Sequence, residues 1–332
     1  MKSYTYIFYA SGVSLLLTAH AVSAQPAPVG AAQAYPARSI RFIVPFPPGG
    51  GTDFVARVLA QKLADAVGQQ IVVDNRPGSS GTIGMDVTAK APPDGYTLAL
   101  GQTGNITLAP AFNANLPYDP QRDLAPVTRV SLSPFMLVAH PSLPAKNVRE
   151  LMALAKTRPN EIAYGSSGNG SLSHLAGELI QSAAQVRMLH VPYKGVALAT
   201  SDLFSGRIVL YVSPLQPLPA WFKAGRVKPI GLTRAQRSSA FPDVPTIAES
   251  GLPGYDVTNW YSVLAPAKTP APVIAKLNSE LVRILRMPEV QARFRDEGGE
   301  VAPGTPEEFA AFINREMQRW AKTIRDAGVR AD

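Results

Sequence analysis

Apolar residues fall along this chain in two alternating rhythms, short continuous runs and longer stretches that repeat every three or four positions, which predict strands and helices in turn. The first run, Ile40-Arg41-Phe42-Ile43-Val44, passes through Pro45 to Asp53 into a stretch carrying Val55, Val58, Leu59 and Leu63 on one side. Strand, glycine turn and helix are therefore expected, with the helix starting near Thr52. Ile71 to Asp74 reads as a second strand, Arg76 to Gly81 as a turn, Gly84 to Lys90 as a helix, and Gly95 to Gly101 as a buried strand ending in the polar tip Gln102-Thr103-Gly104-Asn105. Pro117 to Pro126 shows no periodicity. Phe135 to Ala139 then opens a second series, in which Asn147 with Glu150 forms a capping box for a helix carrying Val148, Leu151, Leu154 and Ala155 and stopping before Pro159.

The second series continues through a strand ending at Tyr164, a Gly/Ser turn, and a helix with Leu172, Leu175, Ala176, Leu179 and Ile180 on one side. Met188 to Tyr193 (strand), Ala197 to Phe204 (helix), Ile208 to Ser213 (strand) and Val227 to Thr233 (strand) follow, after which the chain is expected to return to its first lobe. A helix opened by Pro272 carries Val273, Ile274, Leu277, Leu281, Ile284 and Leu285. The last helix starts at Thr305, Pro306 and Glu308, spaces Phe309, Phe312, Ile313, Met317, Trp320 and Ile324 as a core face, and stops near Gly328. Such alternation predicts an α/β protein of two lobes, each a mainly parallel sheet flanked by helices. The expected division is 38–133 with 232–332 for the first lobe and 134–231 for the second, and two crossings imply a hinge.

Composition narrows the picture. Lys2 followed by an apolar run centred on Leu15-Leu16-Leu17 and ending Val22-Ser23-Ala24 has the form of a secretory signal, 1–24, with cleavage after Ala24 and export to the periplasm expected. An uncleaved anchor is the alternative. Residues 25–37 read as a flexible Ala-, Pro- and Gln-rich leader. The chain has no cysteine, which excludes disulfides and thiolate chemistry. Its 32 Lys and Arg outnumber 24 Asp and Glu, a balance that favours anionic ligands. The charges are scattered and lack interleaved aromatics, so nucleic-acid binding is not expected.

Two stretches carry candidate chemistry. Gly49-Gly50-Gly51 precedes a helix start, where unpaired N–H groups and a partial positive charge await an anion and no Cβ holds it away. The same residues also suit a tight turn capped by Thr52 or Asp53. A second stretch, Gly165-Ser166-Ser167-Gly168-Asn169-Gly170-Ser171, repeats the arrangement, and two helix starts facing one cleft would grip a small carboxylate. Gln102 and Thr103 lie at a strand's carboxyl end, where open parallel sheets bind ligands. His174 in the second helix's first turn either faces the anion or packs. Asp53, whose charge would repel a carboxylate, is expected to cap its helix. Phe54 stands where the dinucleotide fingerprint needs glycine, no Walker lysine follows either turn, and no Gly-x-Ser-x-Gly elbow occurs. His140, His174 and His190 lack zinc-helix spacing.

Pro45-Phe46-Pro47-Pro48-Gly49-Gly50-Gly51-Thr52-Asp53 resembles the opening motif of the tripartite tricarboxylate transporter substrate-binding family, also called Bug-type receptors. Asp94-Gly95-Tyr96-Thr97-Leu98, Tyr164-Gly165-Ser166-Ser167-Gly168, His174-Leu175-Ala176-Gly177-Glu178, Val191-Pro192-Tyr193-Lys194-Gly195 and Phe241-Pro242-Asp243-Val244-Pro245-Thr246 are similar to that family's motifs, in order. The resemblance implies a periplasmic two-lobed receptor of the Venus-flytrap kind that closes on a small carboxylate and delivers it to a two-subunit membrane permease. It implies no cofactor and no catalysis by the receptor; a monomer is expected, although the sequence does not fix the oligomeric state. Backbone amides at Gly49, Gly50, Ser166, Ser167 and Gly168 would hold one carboxylate, with Phe46, Thr52, Gln102, Thr103, His174 and Ser213 completing the expected site. Amino-acid-binding members tend to have Asp where this chain has Val212-Ser213, which favours a dicarboxylate or aromatic carboxylate. The alternatives are a sensor serving a signalling kinase and an exported hydrolase using Ser166 or Ser167.

Overall fold

The computed structural model describes residues 1–3, 5, 35–113 and 115–328. The expected signal cleavage and most of the leader lie outside the described residues. From Tyr35 the order is β1 (Ile40–Val44), α1 (Gly51–Val67), β2 (Ile71–Asn75), α2 (Thr82–Ala89), β3 (Thr97–Gln102), α3 (Ala109–Phe112), β4 (Leu124–Ala139), α4 (Val148–Thr157), β5 (Ala163–Ser166) and α5 (Leu172–Ala184). It continues through β6 (Leu189–Pro192), α6 (Val196–Phe204), β7 (Leu210–Pro214), α7 (Leu218–Lys223), β8 (Lys228–Leu232), β9 (Thr258–Pro266), α8 (Ala271–Leu285), α9 (Pro288–Asp296), β10 (Glu300–Val301) and α10 (Pro306–Ala327).

The strands form a path β2-β1-β3-β9-β4-β7-β5-β6, with β8 and β10 also paired to β4. Each lobe has a parallel portion, β2-β1-β3 in one and β6-β5-β7 in the other. These portions are joined by antiparallel β9 and β4. Residues Leu124–Pro134 of β4 pair with β9, whereas Phe135–Ala139 pair with β7 and β8, so one strand serves both lobes. Following strand direction through these pairings, β1 and β3 run with β4 and β5 to β7 run against it. The carboxyl ends of both parallel portions therefore point at the middle of β4: Gln102 pairs with Tyr261, Tyr261 with Ser131, and Pro214 with Phe135. Topology alone sets two groups of loops face to face.

At this crossing Phe135 N–H donates to Thr233 Oγ1 (3.1 Å), Thr233 N–H donates to Phe135 O (3.0 Å), and Val257 N–H donates to Thr233 O (2.7 Å). The point where β4 changes partners and the segments after β8 and before β9 are thus hydrogen-bonded to one another. Sequence pattern locates most elements within two or three residues, yet it leaves α3, α7, β9, α9 and β10 unassigned, together with the first half of β4, where Pro126 and Pro134 interrupt the run. Those prolines are tolerated where the β4–β9 register shifts, between Pro126 and Thr128, and where pairing passes from β9 to β7.

The first-lobe sheet buries Ile40, Phe42, Val44, Leu98 and Leu100 beneath α1 and α8, and buries Ile43 and Ala99 beneath Met85, Trp260 and Phe309. In the second lobe Leu137, Tyr164, Leu210 and Val212 pack under α4 and α5. Trp320 and Ile324, near the end of α10, also join that second-lobe core. The last helix therefore has Phe309 in one core and Trp320 in the other, which the periodic face alone does not reveal. Trp320 is fully buried and its Nε1–H donates to Glu316 Oε2 at 3.0 Å. Trp320→Ala is expected to reduce stability by about 3–5 kcal/mol, read as a lower midpoint in urea unfolding.

Candidate ligand-binding site

The β1–α1 turn is built so that a long helix begins without a cap. Gly50 occupies the N-cap with an extended backbone (φ −91°, ψ 172°) and contributes no side chain. Gly49 precedes it in the left-handed region at φ +84°. Asp53, expected to cap, instead braces the loop from inside: its carboxylate accepts from Gly49 N–H (3.0 Å), Arg57 Nε (2.8 Å) and Asn75 Nδ2 (3.0 Å). Asn75 also donates to Phe46 O at 3.0 Å. Burial pushes the Asp53 carboxyl up, but the Arg57, Gly49 and Asn75 donors together hold it below its ordinary value. With Asp53 turned back, no intramolecular acceptor among the described residues meets the N–H groups of Gly50, Gly51 and Thr52. These are the open donors of a 17-residue helix.

Around them stand groups from several elements. Thr52 is buried, its Oγ1 lies 3.4 Å from Gln102 Oε1, and it also hydrogen-bonds the Tyr261 hydroxyl. A Cβ at Gly51 would stand 3.0 Å from that hydroxyl and 3.6 Å from Gln216 Oε1. Gln216 follows β7, so a second-lobe turn reaches the start of α1. A cavity at this junction is lined by Gly51, Ser133, Pro134, Gln216, Tyr261 and Glu297, among others. Burial raises the Glu297 carboxyl above its ordinary value despite a hydrogen bond from Gln216, and its buried Oε2 has no partner. The Phe46 ring lies over Gly81, where a Cβ would approach it to 3.2 Å and Asn105 Nδ2 to 2.8 Å. Asn105 is fully buried; its Oδ1 accepts from Gln102 N–H at 2.9 Å while Nδ2 is unpartnered.

The second turn differs in kind. Ser167 N–H donates to Ser173 Oγ (3.0 Å), Gly168 N–H to Ser166 Oγ (3.2 Å), and Gly170 N–H to His174 Nδ1 (3.2 Å). Ser171 caps α5 by accepting from His174 N–H. The amides of Gly49, Ser167 and Gly168, expected to be free for a ligand, are thus bonded within their own turns, and Gly50 keeps its amide open. Thr103 and Ser213, expected at the cleft, are fully buried and turned inward. Thr103 Oγ1 accepts from Trp260 N–H at 3.0 Å and fastens β3 to β9, while Ser213 Oγ donates to Pro214 O at 2.8 Å. Ser166 Oγ is 2.7 Å from His190 Nε2, yet Ser166 is also fully buried, so this Ser–His pair offers no nucleophile to a bulky ester. His174 is buried at 5 % exposure and stacks on His190.

The structure therefore gathers Phe46, Gly50, Thr52 and Gln102 around the α1 start, with Tyr261, Gln216, Glu297, Gly81 and Asn105 added. Sequence reasoning misses Tyr261 and Gln216 because their nearness to Gly51 is a long-range result of strand order. The Asn105 side chain has a local signal in the polar tip after β3. No described hydrogen bond links residues 46–53 with 166–174, and the junction cavity reaches residues 214–216 but not 166–170.

The family model described as "Tripartite tricarboxylate transporter family receptor" matches residues 55–329. Among solved structures, R. palustris Rpa4515 with adipate superposes with a TM-score of 0.84 at 36% identity, covering 89% of this chain and 98% of that one. The periplasmic binding protein BugD gives 0.81 at 35% identity, covering 89% and 99%. MatC (Rpa3494) from Rhodopseudomonas palustris with bound malate gives 0.79 at 31%, covering 87% and 100%.

Asp53→Ala leaves Gly49 N–H and one of the two Asn75 Nδ2 protons without an acceptor and is expected to cost about 1–3 kcal/mol at neutral pH. Because the folded-state value is depressed, this stabilisation is present above the unfolded carboxyl value of about 3.9 and is lost as pH falls through the lower folded value. Denaturant curves of the wild type and variant should converge below about pH 4.

Proposed function

The chain belongs to the tripartite tricarboxylate transporter receptor family, and from that premise we propose that it captures a small carboxylate between two lobes and delivers it to a membrane permease. Members are periplasmic solute-binding receptors, and no helix among the described residues is long and apolar enough to cross a membrane. The observation that carries the reading is the uncapped start of α1. Its open Gly50, Gly51 and Thr52 amides, with the dipole of a long helix behind them, form a site for one carboxylate. The opposed loops of the second lobe would close over the ligand's other end, with bending at the Phe135–Thr233 stitch, between lobes divided at 133/134 and 231/232.

A dicarboxylate or an aromatic carboxylate is the favoured ligand. The end of β7 offers Val212 and Ser213 and no acid, so an ammonium group finds no counter-ion there. Two similar structures carry adipate and malate, which supports the dicarboxylate branch. The buried Ser166 and the missing elbow spacing argue against an ester hydrolase.

Isothermal titration against adipate, malate, succinate and benzoate should give saturable binding by at least one acid; heats of dilution alone across the panel would refute the proposal. Gly50→Val is the informative variant, since no atom lies within 4 Å of a Cβ placed there and the backbone is extended. Its stability should fall by no more than about 1 kcal/mol, the cost of a branched residue in place of Gly at an N-cap, while the bound acid's affinity falls at least about tenfold as the branched side chain covers the amides. Gly168 is a poorer probe, because its φ of +134° makes any side chain strained.

A further inference from the structure

Beneath the second turn lies a buried group of side chains that the capture site itself does not use. The rings of His174 on α5 and His190 on β6 stack with centroids 4.0 Å apart and planes 14° apart. Tyr164 on β5 stacks on the other side of His190 at 4.9 Å. The Tyr164 hydroxyl donates to Glu178 Oε1, which also accepts from Gln181 Nε2 at 2.8 Å and lies 3.8 Å from His174 Nε2. Strand register puts Tyr164 beside His190, while one helical turn puts His174 above Glu178. β5 and α5 pack most closely on β6, and from them Tyr164 and His174 lie against the His190 ring.

Hydrogen-bond direction assigns a proton to each ring. Gly170 N–H can only donate, so His174 Nδ1 accepts and the ring proton sits on Nε2, toward Glu178. Ser166 Oγ receives the Gly168 N–H and has two acceptors within reach of its one proton, Gly168 O at 3.2 Å and His190 Nε2 at 2.7 Å, of which the shorter contact takes it. With His190 neutral, the hydroxyl donates into that nitrogen and the ring proton sits on Nδ1. Burial, reinforced by His174, pulls His190 down to about 4, so the ring is uncharged at neutral pH. The two stacked imidazoles thus hold the two ends of one turn: His190 grips Ser166, and His174 grips Gly170. Between them Ser167 and Gly168 are partly exposed and Asn169 is exposed.

We infer that His190 and His174 are positioning residues for ligand capture, a stacked pair with opposite tautomers that presents residues 167–169 to the cleft in one fixed conformation. The role of the turn in capture rests on the function proposed above; the tautomer assignment and the anchoring do not. They make the second turn a rigid, internally bonded jaw, in contrast to the open amides of the first.

Three measurements on the full chain test the inference. Long-range proton–nitrogen NMR spectra at neutral pH should show His174 as the Nε2–H tautomer and His190 as the Nδ1–H tautomer, and any other pairing overturns it. Amide exchange should quicken about tenfold or more at Gly168 in His190→Phe and at Gly170 in His174→Phe, two changes that keep an aromatic ring in the stack. Unchanged exchange at both positions overturns it. Adipate affinity should fall about tenfold in His190→Phe and recover in part in His190→Gln, which restores an acceptor. Binding by His190→Phe equal to wild type also overturns it. Should the wild type bind none of the acids, the receptor reading fails, while the tautomer and exchange measurements still decide whether the pair anchors the turn.

Discussion

Backbone hydrogen bonding along β4 is the constraint from which the remaining geometry follows. Its first eleven residues are paired to β9 and its last five to β7 and β8, so neither sheet can shed the strand without leaving backbone groups unpaired. Because β1 and β3 run with β4, and β5 to β7 run against it, every loop at a parallel strand's carboxyl end is directed at the same stretch, Ser131 to Phe135. Catalytic or binding residues in α/β proteins gather at such ends. Here the shared strand makes two such ends confront one another, and the start of α1 meets Gln216 from beyond β7 as a direct result.

Within that frame the two glycine-rich turns are chemically unequal. In the first, Asp53 turns away from the helix end it might have capped and ties Gly49, Arg57 and Asn75 together, which leaves the next amides open. In the second, Ser166, Ser171, Ser173 and His174 satisfy the turn's own amides, and of these Ser166, Ser173 and His174 are buried. The first turn is held from behind and keeps its donors available; the second is held from within. A helix start with open amides suits an anion because its donors need no reorientation when the charge arrives. The difference between the turns follows from hydrogen-bond counting, since an amide has one proton and can serve one strong acceptor.

How far the residues disclosed their own arrangement depended on distance along the chain. Features confined to a few neighbours were legible: the strand-turn-helix passage at 40–63, the capping pairs Asn147 with Glu150 and Thr305 with Glu308, and the core face of the last helix. The Thr305–Glu308 box is present with both bonds. Legibility failed where a neighbour came from elsewhere. Pro126 and Pro134 disguised half of the central strand, because proline in a ladder reads as an ending unless its partner strand is known. Thr103 and Ser213 looked like cleft groups by position, but β9 claimed the Thr103 hydroxyl and the adjoining Pro214 carbonyl took that of Ser213.

The amino-acid order by itself determined an α/β chain with two glycine-rich helix starts, no thiol chemistry, and motifs in register with a receptor family. Periodicity, capping chemistry and glycine placement are properties of adjacent residues, and they survive without a fold. Only the tertiary structure decided which amides remain open, that Tyr261 and Gln216 stand beside Gly51, that α10 spans two cores, and that His174 lies on His190 sixteen positions away. Each of those depends on strand order and on competition for a limited number of hydrogen-bond donors, and both are settled when distant segments pack, not before.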